Sequence, residues 1–518
     1  MKTFLERLLN YYNLNFEEYQ KLIKDVTFED IPSFEVFKNI NETVSYLYDC
    51  VKANRKILIY GDYDCDGIMS TSIIYNMFQS INYKVGFYIP SREKDGYGLN
   101  ISKIDFFKNL GYEVIICVDN GITLVDEVNY LHEKNMECVI LDHHLLQDEL
   151  PNTKYIIHPQ LSSLPINTSA GAVSFIFSTA FLNKIDPYLL TLGSISIISD
   201  LMSLKDYNRT IVRLGLNLIN EYKFPSIMSL IGETEDEITE NDIAINIAPK
   251  INAVCRVMDD DSIFNVVRLF TSLDEIKISK YGKWINLVNE KRKEILNDAL
   301  LNNSNIDLEN NAIVEIIDMK EGLASLIANK YLSKYNKPTF ILVKNHDVYK
   351  GSVRSKENFN VVNCFSYLGD LLLTSGGHSC AGGFSLKVED FEKFKNKVNE
   401  YASNCPSSNN ENKQFVEINL SEINFENYQI INTFRPFGHD FAKPIFKISN
   451  FKTSSLVLSK DKKHIITKLS MNSSLIYFNF DNDLFNYDFV NFYGTFELNK
   501  FKNLISVQFK VIDYDKNN

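Results

Sequence analysis

The segment Ile57–Ser70, ILIYGDYDCDGIMS, constrains this chain more than any other. An apolar run of strand character stops at Gly61. Asp62, Asp64 and Asp66 follow at alternate positions, and Gly67 closes the turn before an apolar, helix-like run. Alternate residues of an extended segment project to the same side. Carboxylates crowded in that way repel one another unless a cation lies among them. Three further groups end apolar runs: Asp119 in VIICVDNGI, Asp142, His143 and His144 in CVILDHHLL, and Asp200 in ISIISDLMSL. All-oxygen clusters suit Mg or Mn, and added imidazole shifts the choice toward Mn or another first-row ion. The pattern predicts a metal-dependent hydrolase.

The surroundings of these motifs predict an α/β fold. From Arg55 to about Ser203, the apolar runs KILIY, KVGFYI, EVIICV, ECVIL, KYIIH and SISIIS alternate with helical stretches such as STSIIYNMFQSI and VDEVNYLHEK. Continuous apolar strands separated by helices mean a mostly parallel sheet. Ligands of such sheets collect at the carboxyl ends of the strands. Each acidic motif, Asp200 included, is expected at such an end.

Residues 1–50 read as an N-terminal helical segment, and 51–275 as the sheet domain with a helical subregion. Residues 276–303 read as a connecting helix, and 304–403 as a second α/β domain with strands AIVEIID and TFILV and the glycine-rich GGHSCAGGF. The polar stretch NCPSSNNENKQ reads as a linker. Residues 413–518 then carry the runs KPIFKISNF, SSLVLS, HIITKLS, LIYFNF, DFVNFYGTFEL and LISVQFKVIDY, which predict a small OB-like β-barrel.

Composition removes several classes. No run of eighteen apolar residues exists, so no membrane span is expected, and the N-terminus lacks the pattern of a signal peptide. The eight cysteines form no CxxC pair, so buried free thiols in a reducing cytoplasm are expected. The net charge of −12 argues against indiscriminate nucleic-acid binding, but residues 413–518 carry thirteen Lys or Arg against eleven Asp or Glu.

Two metals about 3.5–4 Å apart can share a bridging carboxylate and a water, clamp phosphate oxygens and stabilise the leaving oxygen. Asp64, Asp66, Asp119, His143 and Asp200 are the expected metal ligands. Asp62 is a further catalytic carboxylate, placed in or just behind that set. His144 is expected to donate a proton or touch phosphate, and Asp142 to orient the histidines from behind.

GDYDCDG, VDNGI, LDHHL and the late Asp200 resemble the signature of the DHH phosphoesterase superfamily. IPSREKDGYGLN, KINAVCRV, GSVRS, GGHSCAGGF and RPFGHDFAKPIF extend the resemblance to its RecJ-like branch of single-strand-specific exonucleases. That resemblance implies a DHH parallel-sheet domain, a helical connector, an α/β DHH-associated domain and a C-terminal OB-like barrel. It also implies 5′→3′ hydrolysis of single-stranded DNA to 5′-mononucleotides, with two Mn2+ or Mg2+ ions, in recombination and repair.

On the same resemblance, Arg92, Arg256, Ser352, Arg354 and His378 are substrate-binding residues. The glycines around His378 let backbone approach a phosphodiester closely. Phe434, Phe437, Phe441 and Lys443 are candidates for base stacking and phosphate tracking in the barrel. A helicase and a single-strand-binding protein are expected partners. Three features depart from the family pattern: Lys320 stands where histidine is usual, Cys255 where glycine is usual, and His439-Asp440-Phe441 replaces Gly-Asn-Pro. The alternatives are a DHH phosphodiesterase of short oligonucleotides or cyclic dinucleotides, and a non-catalytic DNA-binding scaffold on the same fold.

Overall fold

The computed structural model describes residues 2–516 except 93, 97, 164–165, 259–260, 304–305, 357, 406–413 and 502–503. Most of the expected linker therefore lies outside the described residues. The chain divides into two compact units, one of Ile31–Met202 and Thr210–Asn409, the other of Met1–Asp30, Ser203–Arg209 and Asn410–Asn518.

The larger unit begins with a wholly parallel sheet. Its strands are β1 (Ile57–Tyr60), β2 (Gly86–Tyr88), β3 (Val114–Val118), β4 (Glu137–Leu141) and β5 (Ile156–Ile157), in the order β2-β1-β3-β4-β5. Every residue of β1 and β3 is buried, as expected of strands covered on both faces. The chain leaves β1 toward β2 and returns across it to β3, so β1 and β3 flank the point where the strand order reverses. A crevice opens there at the carboxyl ends. Asp62 follows β1 and Asp119 follows β3 at that crevice.

One expected strand is a helix. SISIIS is the end of the helix Pro187–Ser199, and Asp200 is its C-cap rather than a strand end. Leu189–Ile198 are buried without interruption, because this helix is enclosed on all sides. An enclosed helix and a fully buried strand show the same unbroken apolar run. The start signal was present in the sequence: Asp186 caps the helix by accepting from the amides of Tyr188 and Leu189, with Pro187 in the first turn.

The segment after β1 also departs from expectation. Helix Cys65–Ser80 begins within the aspartate run, so only Asp62 and Asp64 precede it and Asp66 lies in its first turn. Gly67 makes this start possible, because a Cβ there would sit 2.5 Å from the Asp62 carbonyl oxygen and 2.7 Å from its Cα.

Helices Ala248–Val257 and Glu275–Asn302 lead to the second sheet, ordered β6-β7-β8-β10-β9. Its strands are β6 (Ile313–Ile316), β7 (Thr339–Asn345), β8 (Val348–Arg354), β9 (Thr374–His378) and β10 (Ala381–Lys387). Phe340, Leu342, Val353, Phe384 and Leu386 turn one face into a core shared with Phe359, Cys364 and Phe394. Alternation then sends Ser352, Arg354, Ala381 and Gly383 to the other face.

The second unit is built on a six-stranded sheet ordered β11-β12-β15-β16-β14-β13. Its strands are β11 (Val416–Glu417), β12 (Phe446–Lys452), β13 (His464–Lys468), β14 (Ser473–Phe478), β15 (Phe489–Phe501) and β16 (Leu504–Lys516). SSLVLS is not a strand: Thr453–Ser455 form a 3-10 turn, and Leu458 makes one isolated bridge to Ile465. The first helix, Phe4–Tyr11, packs here, with Phe4 stacked on Phe446 at 5.8 Å. Tyr12 stacks on Phe434 and Phe441 at 5.1 and 4.5 Å, and both phenylalanines are buried. These two rings are packing residues and offer no face to a nucleobase. Arg209 donates to the carbonyls of Phe434, Arg435 and Pro436 and fixes the same corner.

Replacing Gly67 by alanine forces the Asp62 backbone away from the Cys65–Ser80 helix. A loss of about 1–3 kcal/mol in unfolding free energy is expected for Gly67→Ala, read by denaturant titration.

Candidate active site

The carboxylates after β1 and β3 meet the imidazoles after β4 and the acid after the Pro187–Ser199 helix. His143 Nε2 lies 3.3 Å from Asp119, 3.6 Å from Asp66 and 3.6 Å from Asp200. Three groups of side chains each bring one ligand atom apiece within 4.8 Å of one another: Asp62, Asp64 and Asp119; Asp66, His143 and Asp200; Asp119, His143 and His144. Asp119 and His143 belong to two groups each, so the three merge into one cluster. All five expected metal ligands, and Asp62 and His144 with them, are brought together.

Each side chain has a local cause for its position. Asp64 caps the Cys65–Ser80 helix by accepting from the Gly67 amide at 3.1 Å. Asp66 accepts from the amides of Ala170 and Gly171 at 2.9 and 2.8 Å, and from the Ser196 hydroxyl. Those amides open the helix Ala170–Leu182, whose N-terminal dipole favours a negative charge. Asp119 stands in the left-handed region at φ 60°, followed by Gly121 at φ 118°. Asp142 is fully buried. It accepts from the amides of Ile122, His143 and His144 at 2.9, 2.7 and 3.2 Å, and holds His144 Nδ1 at 2.8 Å.

Electrostatics separate the orienting acid from the others. Burial and the neighbouring carboxylates push Asp62, Asp64 and Asp119 upward, and Asp200 to about 8. Burial also opposes ionisation of Asp142, but its hydrogen bond and attraction to His144 bring it down to about 2. Burial works against a charge on His144, yet Asp142, Asp66 and Asp62 outweigh it and raise that imidazole to about 9. Asp62 Oδ1 and Asp200 Oδ2 are buried without a hydrogen-bond donor. Unpaired carboxylate oxygens aimed into a cluster of like charges fit a site for hard divalent cations.

Sequence reasoning missed the supports of this cluster. Ser196 lies four residues before Asp200, one helical turn away, and a helical reading of SISIIS would have put both on one face. His158 Nε2 is bonded to the His144 carbonyl at 2.8 Å, and Tyr63 lies under the Arg92 guanidinium at 5.6 Å. Only the tertiary structure brings the amides of Ala170 and Gly171 to Asp66.

The expected substrate residues fall into two sets. Arg92, Arg256 and Arg354 are near enough to act on one another. Burial pushes Arg256 and Arg354 down, and Arg92 lowers both further. Arg92 in turn favours the charge on Asp62, and Asp64 the charge on Arg256. Arg256 also donates to the Gly322 carbonyl and the Ser325 hydroxyl at 2.7 and 2.9 Å, tying the two sheet domains together. Lys320 Nζ donates to the Val257 carbonyl at 2.8 Å, so this unusual lysine braces the end of the Arg256 helix. Ser352 and Arg354 lie on β8 opposite Gly383 and Ala381, which pair in turn with Gly376 and His378. Cross-strand partners share a face. His378 is exposed at its edge and lies within ion-pair distance of none of the acids among the described residues. A Cβ on Gly376 would meet nothing within 4 Å, and one on Gly383 only the Gly351 carbonyl at 3.9 Å.

Comparison with known proteins matches three family models in chain order: the DHH family N-terminal domain at residues 56–195, the DHHA1 domain at 309–404 and the RecJ OB domain at 416–513. The single-stranded-DNA-specific exonuclease RecJ of Bacillus subtilis is 31% identical over 447 residues, covering 82% of this chain and 56% of that protein. This chain thus spans little more than half of that relative's length. The Haemophilus influenzae protein of the same name is 25% identical over 467 residues, covering 82% of this chain and 80% of its own. Among solved structures, RecJ from Thermus thermophilus in complex with Mn2+ has a TM-score of 0.85 at 21% identity, over 99% of this chain and 76% of that one. An exonuclease RecJ bound to manganese has a TM-score of 0.63 at 26% identity, over 71% of this chain and 96% of that one. With DHH, DHHA1 and RecJ OB models matched in this order and RecJ proteins similar along most of its length, the chain carries the domain series of the RecJ-like DHH proteins.

Proposed function

We propose that this protein is a divalent-metal-dependent exonuclease that hydrolyses single-stranded DNA from its 5′ end to 5′-mononucleotides, in recombination and repair. One juxtaposition carries the reading. A buried carboxylate cluster that repels itself lies beside Arg256 and Arg354, whose charges are disfavoured by burial and by Arg92. The first needs cations and the second an anion, and a phosphodiester held with divalent ions satisfies both. The printed names of the relatives, single-stranded-DNA-specific exonucleases, support the substrate, and the manganese-bound structures support the metal.

In this reading Asp64, Asp66, Asp119, His143 and Asp200 hold two Mn2+ or Mg2+ ions, with Asp62 beside them. Ions bound there would polarise the scissile phosphate and make water a stronger nucleophile. Asp142 fixes the His144 ring through Nδ1 and favours its protonated form, and His144 offers a proton to the departing oxygen. Arg92, Arg256 and Arg354, with Ser352, grip the terminal 5′-phosphate by charged hydrogen bonds. The strand backbone lies along the bare face of β9 and β10, where Gly376, Ala381 and Gly383 leave room, with His378 at its edge. A helicase and a single-strand-binding protein as partners belong to the same proposal. So does a cytoplasmic location, supported by eight cysteines that are all free. No helix among the described residues is long and apolar enough to cross a membrane.

The direct test incubates the protein with Mn2+ and 5′-phosphorylated single strands, duplexes and dinucleotides. Directional loss of long single strands is expected, and cleavage confined to dinucleotides would replace this reading with the short-oligonucleotide one. In the same assay Asp119→Ala loses at least about a thousandfold in turnover while strand binding persists. Arg354→Ala narrows the preference for a 5′-phosphate over a 5′-hydroxyl end by about tenfold, measured as a ratio of kcat/KM values.

The metal-free protein should also lose heat stability as pH rises. A carboxyl raised from 3.8 to about 8, like Asp200, stabilises the fold fully below its unfolded value and loses that contribution on passing its folded value. His144, raised from 6.5 to about 9, acts in the same direction. The melting temperature therefore falls between about pH 4 and pH 9, and saturating Mn2+ removes most of the fall by replacing the protons that held the acids together.

A further inference from the structure

The residue after Asp200 is conformationally out of place. The helix Pro187–Ser199 ends in a full Schellman turn: the Leu201 amide donates to the Ile198 carbonyl at 3.3 Å, and the Met202 amide to the Ile197 carbonyl at 3.1 Å. The turn requires a left-handed residue at position 201, where glycine or asparagine is usual. The residue present is Leu201, at φ 53°. Every other described non-glycine residue with positive φ is Asn, Asp, Lys or His, so Leu201 is the only apolar side chain held in this conformation among the described residues.

Packing within the chain does not explain the choice. Leu201 is 70% exposed. A large apolar side chain in a disfavoured backbone conformation that then faces solvent gains nothing from the fold. Its place in the structure is the relevant fact. Its neighbour Asp200 is 3.6 Å from His143, and Asp200 is 29% exposed where His143 is 11% and Asp66 2%. Asp200 is thus the most exposed of these three, and Leu201 follows it directly in the chain. Leu145 directly follows His144, another member of the cluster, and is 63% exposed.

We propose that Leu201 is a substrate-contacting residue whose side chain packs on the nucleobase next to the scissile phosphate, with Leu145 on the same apolar rim. An unstacked base presents an apolar face of matching size, and contact with it removes leucine surface from water without reading sequence. This assignment rests on the strand-cleaving reading above. It gives the strained residue a role in positioning the nucleotide over the metal site, while the acids and arginines hold its phosphates.

The test compares wild type, Leu201→Gly and Leu201→Asn with Mn2+ on 5′-phosphorylated single strands, and on matched strands whose first two nucleotides are abasic. Glycine and asparagine both accept the left-handed turn, so both variants should melt no lower than wild type. On strands with bases, KM should rise about tenfold in both variants, with a smaller effect on kcat. On abasic strands the wild type should lose the same factor, and the variants should do no worse than it does. Wild-type KM values in both variants would overturn the role of Leu201 and leave the strand-cleaving reading intact. So would melting several degrees lower, because it would show that the leucine packs within the fold. Failure of the wild type to cleave any strand would overturn the strand-cleaving reading and this assignment with it.

Discussion

The structure is organised around the repulsion among Asp62, Asp64, Asp66, Asp119 and Asp200. Like charges a few ångströms apart in a buried site cannot all stay ionised without compensation. The fold compensates some of them itself. Asp64 has a helix-start amide, and Asp66 has two amides and a hydroxyl. Asp62 and Asp200 each keep a buried carboxylate oxygen without a donor. The remaining compensation has to come from bound cations, and that requirement links the sheet, the helix ends and the chemistry.

The acids and the arginines have opposite needs, and the second sheet domain is placed to meet them. Arg256 reaches across to Gly322 and Ser325, and Lys320 reaches back to the Val257 carbonyl. Arg256 is therefore held by a joint between domains and not by a flexible loop. A half-buried arginine tied to a carbonyl and a hydroxyl keeps its geometry better than one on a solvated arm. Glycines with no neighbour at the Cβ position sit on the same sheet as Arg354. Neither backbone strain nor internal packing calls for glycine at Gly376 and Gly383.

Several parts of this arrangement were readable in the sequence and others were not, for identifiable reasons. β1, β3 and β4 were legible because a parallel sheet buried on both faces needs unbroken apolar runs. The Asp and His residues at their ends were legible because Gly61, Gly67 and Gly121 mark where those runs must stop. The helix Pro187–Ser199 was misread because enclosure erases the periodicity that separates helix from strand, although Asp186 and Pro187 announced its start. Phe434 and Phe441, two of the candidates for base stacking, are packing residues, because aromatic residues look alike in sequence whether they stack on Tyr12 or on a ligand. The linker runs into residues outside the described part of the chain.

The sequence by itself determined the ligand types, their order along the chain and the strand ends that carry most of them, since local backbone geometry and charge crowding follow from nearby residues. Only the tertiary structure decided that Asp200 arrives on a helix end, that Ala170, Gly171 and Ser196 donate to Asp66, and that Leu201 is left exposed next to Asp200. Those facts depend on which distant surfaces meet, and contact between residues more than a hundred positions apart is set by packing of the whole core rather than by any local pattern.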